Sequence, residues 1–300
     1  MEQKLLRTVI IPNTTPAADG TYDWDLPVQP MSHLDLTIKA LNVTNEATRA
    51  EILAMVSKIE VLWHGQSVMS ISATDLDALN SVLFGGLAAL TNQVATDNAT
   101  RSITLRVPFG RVLYDPAECM PETRLGDLKL FMTVDIANGG ADGLLLICEA
   151  VCLPGAQPAS YLKVTTASKT PSSGIDNDTF LPCGNLLAGL LIYSTTVPTG
   201  TAWTASVSKI RLLLDNVAHT IINQYWETLH AVLLRRVEYP GNQVVADGDE
   251  VFVNYGLVDL APYGANDYLI DTADVSLCNL SVLAGDANIY RVMPLEIVRL

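Results

Sequence analysis

Val107-Pro108-Phe109-Gly110-Arg111-Val112 and Val253-Asn254-Tyr255-Gly256-Leu257-Val258 carry an aromatic–glycine pair at the same place, and each is followed at the same distance by a proline, Pro116 and Pro262. Working outward, further matches fall in the same order. Upstream, Val56-Ser57-Lys58-Ile59 recurs as Val207-Ser208-Lys209-Ile210, each leading into an apolar strand and then a short helix. Downstream, Asp127-Leu128-Lys129-Leu130 to Ala137 matches Asp274-Val275-Ser276-Leu277 to Ala284, and each half closes on a strand, 144–151 and 295–300. One four-residue identity carries little. Four correspondences in one order, at nearly one offset of about half the chain, mark a duplication.

Strand signals dominate both halves. His33-Leu34-Asp35-Leu36-Thr37-Ile38-Lys39-Ala40 alternates apolar and polar residues, the period of a half-buried strand. The same alternation runs through residues 102–107 and 127–136. Asn138-Gly139-Gly140-Ala141-Asp142-Gly143 reads as a tight turn into the apolar run 144–147, and Ala246-Asp247-Gly248-Asp249 as a second hairpin. Helix signals are few. Thr74 is placed to cap a helix over 75–84, with Gly85 and Gly86 as its stop; residues 224–234 are the counterpart, and 45–55 a third candidate between strands. Residues 154–178 change texture, with Pro154, Gly155, Pro158, Pro171 and Gly174 among many Ser and Thr, which predicts a linker or crossover.

The predicted class is therefore all-β: two tandem eight-stranded jelly-roll sandwiches with a short helix in each, 1–153 and 179–300, joined by 154–178. A jelly roll fits units of this length with a prominent helix better than the shorter immunoglobulin-like sandwich.

Bulk composition narrows function. The chain has 300 residues, a 49% hydrophobic fraction, 17% charged residues and a net charge of −14. That balance opposes direct nucleic-acid binding, which rests on Lys and Arg neutralising phosphates. The first twelve residues hold no apolar core long enough for a signal peptide, and the longest apolar runs, 81–90 and 185–193, are too short to cross a bilayer. Cys119, Cys148, Cys152, Cys183 and Cys278 are an odd count without CxxC spacing; they read as reduced, mostly buried thiols of a chain made in a cytoplasm.

His33 stands two residues before Asp35 on one strand face; an acid–base pair is the sharp reading, a strand face the bland and stronger one. His64 falls in the turn Trp63-His64-Gly65, matched to Leu214-Asp215-Asn216. His219 and His230 have no ligand at metal spacing. Asp176-Asn177-Asp178-Thr179 is rich in oxygen donors but lacks the glycine and distal glutamate of an EF-hand loop. Trp24, Trp63, Trp203 and Trp226 would suit a sugar-stacking lectin if clustered; Trp63 and Trp226 fall instead in strand and helix segments matched between the halves. GxSxG, Walker A, HExxH and GxGxxG motifs are missing, so the expectation is a non-enzyme with no catalytic, cofactor-binding or metal residues.

Certain segments carry a family resemblance. Val9-Ile10-Ile11-Pro12-Asn13 leads through a turn-rich stretch into Leu34-Asp35-Leu36; Ile59-Glu60-Val61-Leu62-Trp63-His64-Gly65-Gln66 ends in a polar–glycine turn; Ala73-Thr74-Asp75-Leu76 opens a helix; Glu296-Ile297-Val298 lies in the last strand. In this the chain resembles the double jelly-roll major capsid proteins of tailless icosahedral viruses, especially the corticovirus and finnlakevirus type of bacteriophage with an internal membrane. The resemblance implies a homotrimer with a pseudo-hexagonal footprint, tiling a shell in the virion after synthesis in the host cytoplasm. The implied partners are further copies of the chain, minor capsid, vertex or membrane proteins, and peripheral lipid at the N-terminus near Lys4 and Arg7. The alternative is a tandem jelly-roll carbohydrate-binding or spike-type module. A bicupin enzyme would need His and Glu residues converging within one domain.

Overall fold

The computed structural model describes residues 4–43, 46–91, 96–198, 204–215, 219–237 and 252–300. The predicted hairpin at 246–249, Trp203 and Asn216 lie outside the described residues. Among the described residues two compact units are formed, one from residues up to Lys163 together with Leu300, the other from 164–237 and 252–299.

The first unit contains β1 (Leu6–Thr14), β2 (Gly20–Asp25), β3 (Met31–Asn42), α1 (Arg49–Ala54), β4 (Val56–Trp63), β5 (Gln66–Ile71) and α2 (Ala73–Phe84). There follow β6 (Leu90–Thr91), β7 (Thr100–Pro108), β8 (Leu128–Val134), β9 (Ala137–Asn138) and β10 (Ala141–Cys152), while β11 (Ser160–Thr165) crosses the division between units. One sheet has the order β1-β10-β3-β7, extended by β6; the other has β2-β8-β4-β5. Alternation decides which side chains go inward. Leu34, Leu36, Ile38 and Ala40 of β3 are buried, as are Ile103, Leu105 and Val107 of β7 and Leu130 and Met132 of β8. Each such aliphatic side chain contributes about 1.5–3 kcal/mol by leaving water.

The second unit contains β12 (Ala167–Lys169), β13 (Asp176–Leu181), β14 (Leu186–Ser194), β15 (Lys209–Leu214), β16 (His219–Tyr225), α3 (Trp226–Arg236), β17 (Tyr255–Asp259), β18 (Ile270–Asp271), β19 (Cys278–Leu283) and β20 (Tyr290–Arg299). Its sheets run β12-β20-β14-β17 and β13-β19-β15-β16. Rank these strands by position in the chain and the two orders reproduce those of the first unit, strand for strand. In both units a helix lies between the fifth and sixth of these eight strands, α2 in one and α3 in the other. Leu190, Ile192, Ile210, Leu212, Trp226, Leu229, Leu280 and Val282 join one apolar cluster, so the sandwich is filled from both sheets and the helix. The chain is two eight-stranded jelly rolls in tandem.

The duplication is as predicted, but its register is not. Ile59 pairs with Met132, and Ile210 with Val282, so equivalent residues of β8 and β19 lie 150 apart instead of the 147 that the Asp127 and Asp274 match implied. The aromatic–glycine match does not superpose. Phe109 and Gly110 lie just beyond β7, whereas Tyr255 and Gly256 open β17. Each glycine answers to its own neighbour. A Cβ on Gly110 would stand 2.1 Å from the Glu118 carbonyl oxygen, and one on Gly256 would stand 2.9 Å from Leu229 Cβ and 3.2 Å from the Trp226 ring.

Local expectations were shifted in instructive ways. The cap of α2 is Ser72, whose hydroxyl accepts the Asp75 N–H, two residues before the expected Thr74. Helix α3 begins at Trp226, because Gln224 and Tyr225 are held in the ladder opposite Ile210 and Lys209. Helix α1 carries a capping box, Thr48 with Glu51. Glu51 also accepts the Gly140 N–H at 2.7 Å, and its carboxylate fills the space a Cβ on Gly139 or Gly140 would need. Residues 154–178 hold all of β11 and β12 and the start of β13, and the division between the units falls inside them. Short strands broken by Pro and Ser left no periodicity to read.

Candidate functional surfaces

Of the four histidines, His33, His64 and His230 have structural partners. His33 is buried; its ring stands 3.0 Å from the Ser32 hydroxyl by Nδ1, 3.6 Å from Asp35 by Nε2, and edge-on to Tyr114. Burial, aided by Arg106 and Arg7 and opposed by Asp35, lowers its pKa to about 4. At neutral pH it is an uncharged ring packed at a sheet end. His64 has φ 51° in the turn between β4 and β5, and Asp215 has φ 48° in the turn between β15 and β16. Their N–H groups donate to equivalent carbonyls, Asp127 at 3.0 Å and Leu277 at 2.9 Å. His64 adds a side-chain contact to Asp127 at 3.1 Å, where Asp215 instead accepts the Ser276 and Leu277 N–H groups. The matched turn is real, and its histidine is one of two solutions to it. His230 Nδ1 lies 2.8 Å from the Tyr255 carbonyl, and His219 opens β16.

Asp176 and Asp178 point outward from β13 and do not converge; Asp176 pairs with Arg211 and the Asp178 carbonyl accepts from Lys169. Among the described residues no group of three His, Cys, Asp or Glu side chains could hold a metal ion. Trp226 is buried; Trp63 packs on His64 and Tyr161, and Trp24 on Tyr22, so the three described indoles are dispersed. Cys119, Cys148, Cys152 and Cys278 are buried, which pushes their thiols up to about 11, 12, 11 and 12; Cys183 is exposed. No described helix is long and apolar enough to cross a membrane.

One concavity, of about 550 Å³, opens on the outer face of the β1-β10-β3-β7 sheet, beneath the segment that follows α2. Arg7, Asp35, Arg106 and Glu149 line it and neutralise one another: Arg7 to Asp35 at 3.2 Å, Arg7 to Glu149 at 4.0 Å and Arg106 to Asp35 at 3.7 Å. Above it Asn80 of α2 donates to the Arg106 carbonyl and accepts the Arg106 N–H, closing the exposed edge of β7 as a strand would. Helix α2 is fixed by a buried pair, Asp77 with Arg49, at 2.6 and 2.7 Å. Burial raises the Asp77 carboxyl and Arg49 opposes that shift. Sequence reading missed Arg49, Asp77 and Asn80; a charged residue on the apolar face of a helix was the available signal.

The outer faces of the two corresponding sheets differ. On β2-β8-β4-β5 the outward side chains include Asp23, Asp25, Lys129, Lys58 and Glu60, joined by ion pairs of 3.0 to 3.5 Å. On β13-β19-β15-β16 the outward set includes Phe180, Ile221 and Tyr225, exposed to 67%, 47% and 58%.

Two jelly rolls in tandem, with the same strand order, are the architecture of the double jelly-roll viral major capsid proteins. The chain is similar to the major capsid protein of Sulfolobus turreted icosahedral virus, with TM-score 0.72 and 11% identity over 99% of this chain and 97% of that one. It is similar also to the major capsid protein P2 of bacteriophage PM2, with TM-score 0.64 and 12% identity over 98% of both chains. A third similar structure is the PBCV-1 virus capsid, at TM-score 0.64 and 10% identity over 99% and 94%. At these identities the likeness is one of fold. No family model and no curated protein matches the chain.

Proposed function

We propose that this chain is a structural capsid protein, not an enzyme, which self-assembles as homotrimers into an icosahedral shell of a virion around an internal membrane. The observation that carries this reading is that the fold likeness covers both jelly rolls, 97–99% of each chain in the first comparison, and not one sandwich alone. Single jelly rolls serve many functions, so one matched unit would say little. Two similar units per chain let a threefold ring present six similar sides, and such a ring reuses near-equivalent contacts across a closed shell. His33, His64 and His230 support the non-enzymatic reading, because each is engaged in packing or a turn. The acidic balance, −14, favours protein and membrane-protein neighbours in the virion over direct contact with nucleic acid. Lys4 gives the N-terminal region a weak attraction for anionic lipid, about 1 kcal/mol, while Arg7 is already held by Asp35 and Glu149. Synthesis in the host cytoplasm follows from this reading.

Native mass by light scattering, with negative-stain imaging of the same sample, tests the proposal. The expected species has about three chain masses and a six-lobed outline. A monomer at every salt and protein concentration overturns it.

A further inference from the structure

The ladder register arranges the outer face of the β13-β19-β15-β16 sheet in three rows. The first runs Phe180, Asn279, Leu213 and, across a bulge, Ile221; the second Asp178, Ser281, Arg211, Asn223; the third Asp176, Leu283, Lys209, Tyr225. One end of the face thus exposes Phe180 and Ile221 at its two edges, with half-buried Leu213 and buried Asn279 between them. The other is charged, with acids on the β13 edge and bases two strands away on β15; Arg211 reaches across to Asp176 within the chain, and Lys209 lies over the exposed Tyr225 ring, which leaves Asp178 facing outward on the acidic edge. In the apolar row the Asn279 side-chain oxygen is buried without a hydrogen-bond partner.

We propose that this face is a self-association surface, on which the same face of a second copy docks about a twofold axis lying along the strands. The inference rests on the self-assembly reading above and names the surface involved. Such an axis keeps each row opposite itself and reverses the strand order. Phe180 then meets the Ile221 end of the partner's apolar row, and the acidic β13 edge lies over β16, one strand spacing of about 4.8 Å from the bases on β15. Two sheets packed face to face in this way form a sandwich of the kind each unit already builds internally. The charge pattern selects a second copy as occupant. A polyanionic partner would meet Asp176 and Asp178, and a polycationic one Lys209 and Arg211, whereas the face itself carries both signs in the order that reversal pairs.

Four strands at this spacing, each with three outward side chains, give roughly 400 Å² per copy, about half of what a stable two-body interface uses. The contact is therefore weak and reversible alone, and suited to repetition among copies held at other surfaces too.

Sedimentation equilibrium on the full chain tests this. Phe180→Asp and Ile221→Asp, at exposed positions, each weaken self-association by about tenfold or more while melting as the parent does. Asp178→Arg and Arg211→Asp each weaken it as well. An equimolar mixture of these two variants associates more tightly than either alone, because a twofold contact pairs each reversed charge with an opposite one. That rescue cannot arise from intrachain repair. Unchanged association in the Phe180 and Ile221 variants overturns the surface and leaves capsid assembly standing, as does a mixture no tighter than its components. A parent chain that never associates overturns both.

Discussion

The two units share one strand order and fill it differently. In the first, α2 is buried along most of its length, from Ala73 to Val82, is capped by Ser72 and is held through Asp77 to Arg49. In the second, α3 lacks a side-chain cap and buries only Trp226, Leu229 and Leu233, one stripe of a helix otherwise facing water. The outer faces of the corresponding sheets invert the contrast, since the first unit's is salted with ion pairs and the second's carries exposed Phe180, Ile221 and Tyr225. A duplicated topology is thus kept by inward alternation alone. Helix surfaces and outer faces, which alternation leaves free, are where the copies have diverged.

The largest test of that contrast is Asp77→Ala. It removes the carboxylate that pairs with the buried Arg49 guanidinium, while bonds such as that to the Ala88 carbonyl stay. A loss of about 3–5 kcal/mol is expected, read by chemical denaturation as destabilisation of the first unit with the second unit's hydrogen exchange unchanged.

Acid should also act mainly on the first unit. Folded His33 titrates near pH 4 against an ordinary value of 6.5, so below 6.5 the unfolded chain takes a proton that the folded chain refuses. Stability is whole above about pH 6.5 and falls as the pH drops to 4, by at most about 3 kcal/mol. A His33→Gln chain should lose that slope; an unchanged pH profile in denaturant melts would show that the ring titrates normally.

The smallest difference, about 2 kcal/mol, separates the two glycines. Gly110→Ala drives a methyl into a backbone carbonyl and is expected to cost about 3 kcal/mol or more. Gly256→Ala meets side-chain atoms of Leu229 and Trp226 on a less buried helix, and about 1 kcal/mol is expected. Equal losses in thermal melts would remove the difference between the units.

Much of the architecture was legible. Period-two alternation located β3, β7 and β8, and the glycines at 85 and 139–140 marked a helix stop and a turn. The repeat itself was legible, yet the aromatic–glycine match that seemed to anchor it joins the end of one strand to the start of another. Short identities report composition near strand ends, whereas equivalence is defined by ladder partners distant in sequence. The strands inside 154–178 were not legible for the same reason. Strands β11 and β12 are short and interrupted, and gain their conformation from neighbours such as β20, which pairs with Ala167–Lys169 from more than a hundred residues away.

By itself the sequence determined the class: two β sandwiches, inward faces, turns, and an acidic surface. These depend on local periodicity and composition, which each segment carries alone. Only the tertiary structure decided that Asp77 meets Arg49, that Asn80 closes the edge of β7, that His33 is neutral, and that Phe180, Leu213 and Ile221 share one outward row. Each of these depends on which distant strands lie side by side, and a side chain's charge and exposure follow from those neighbours.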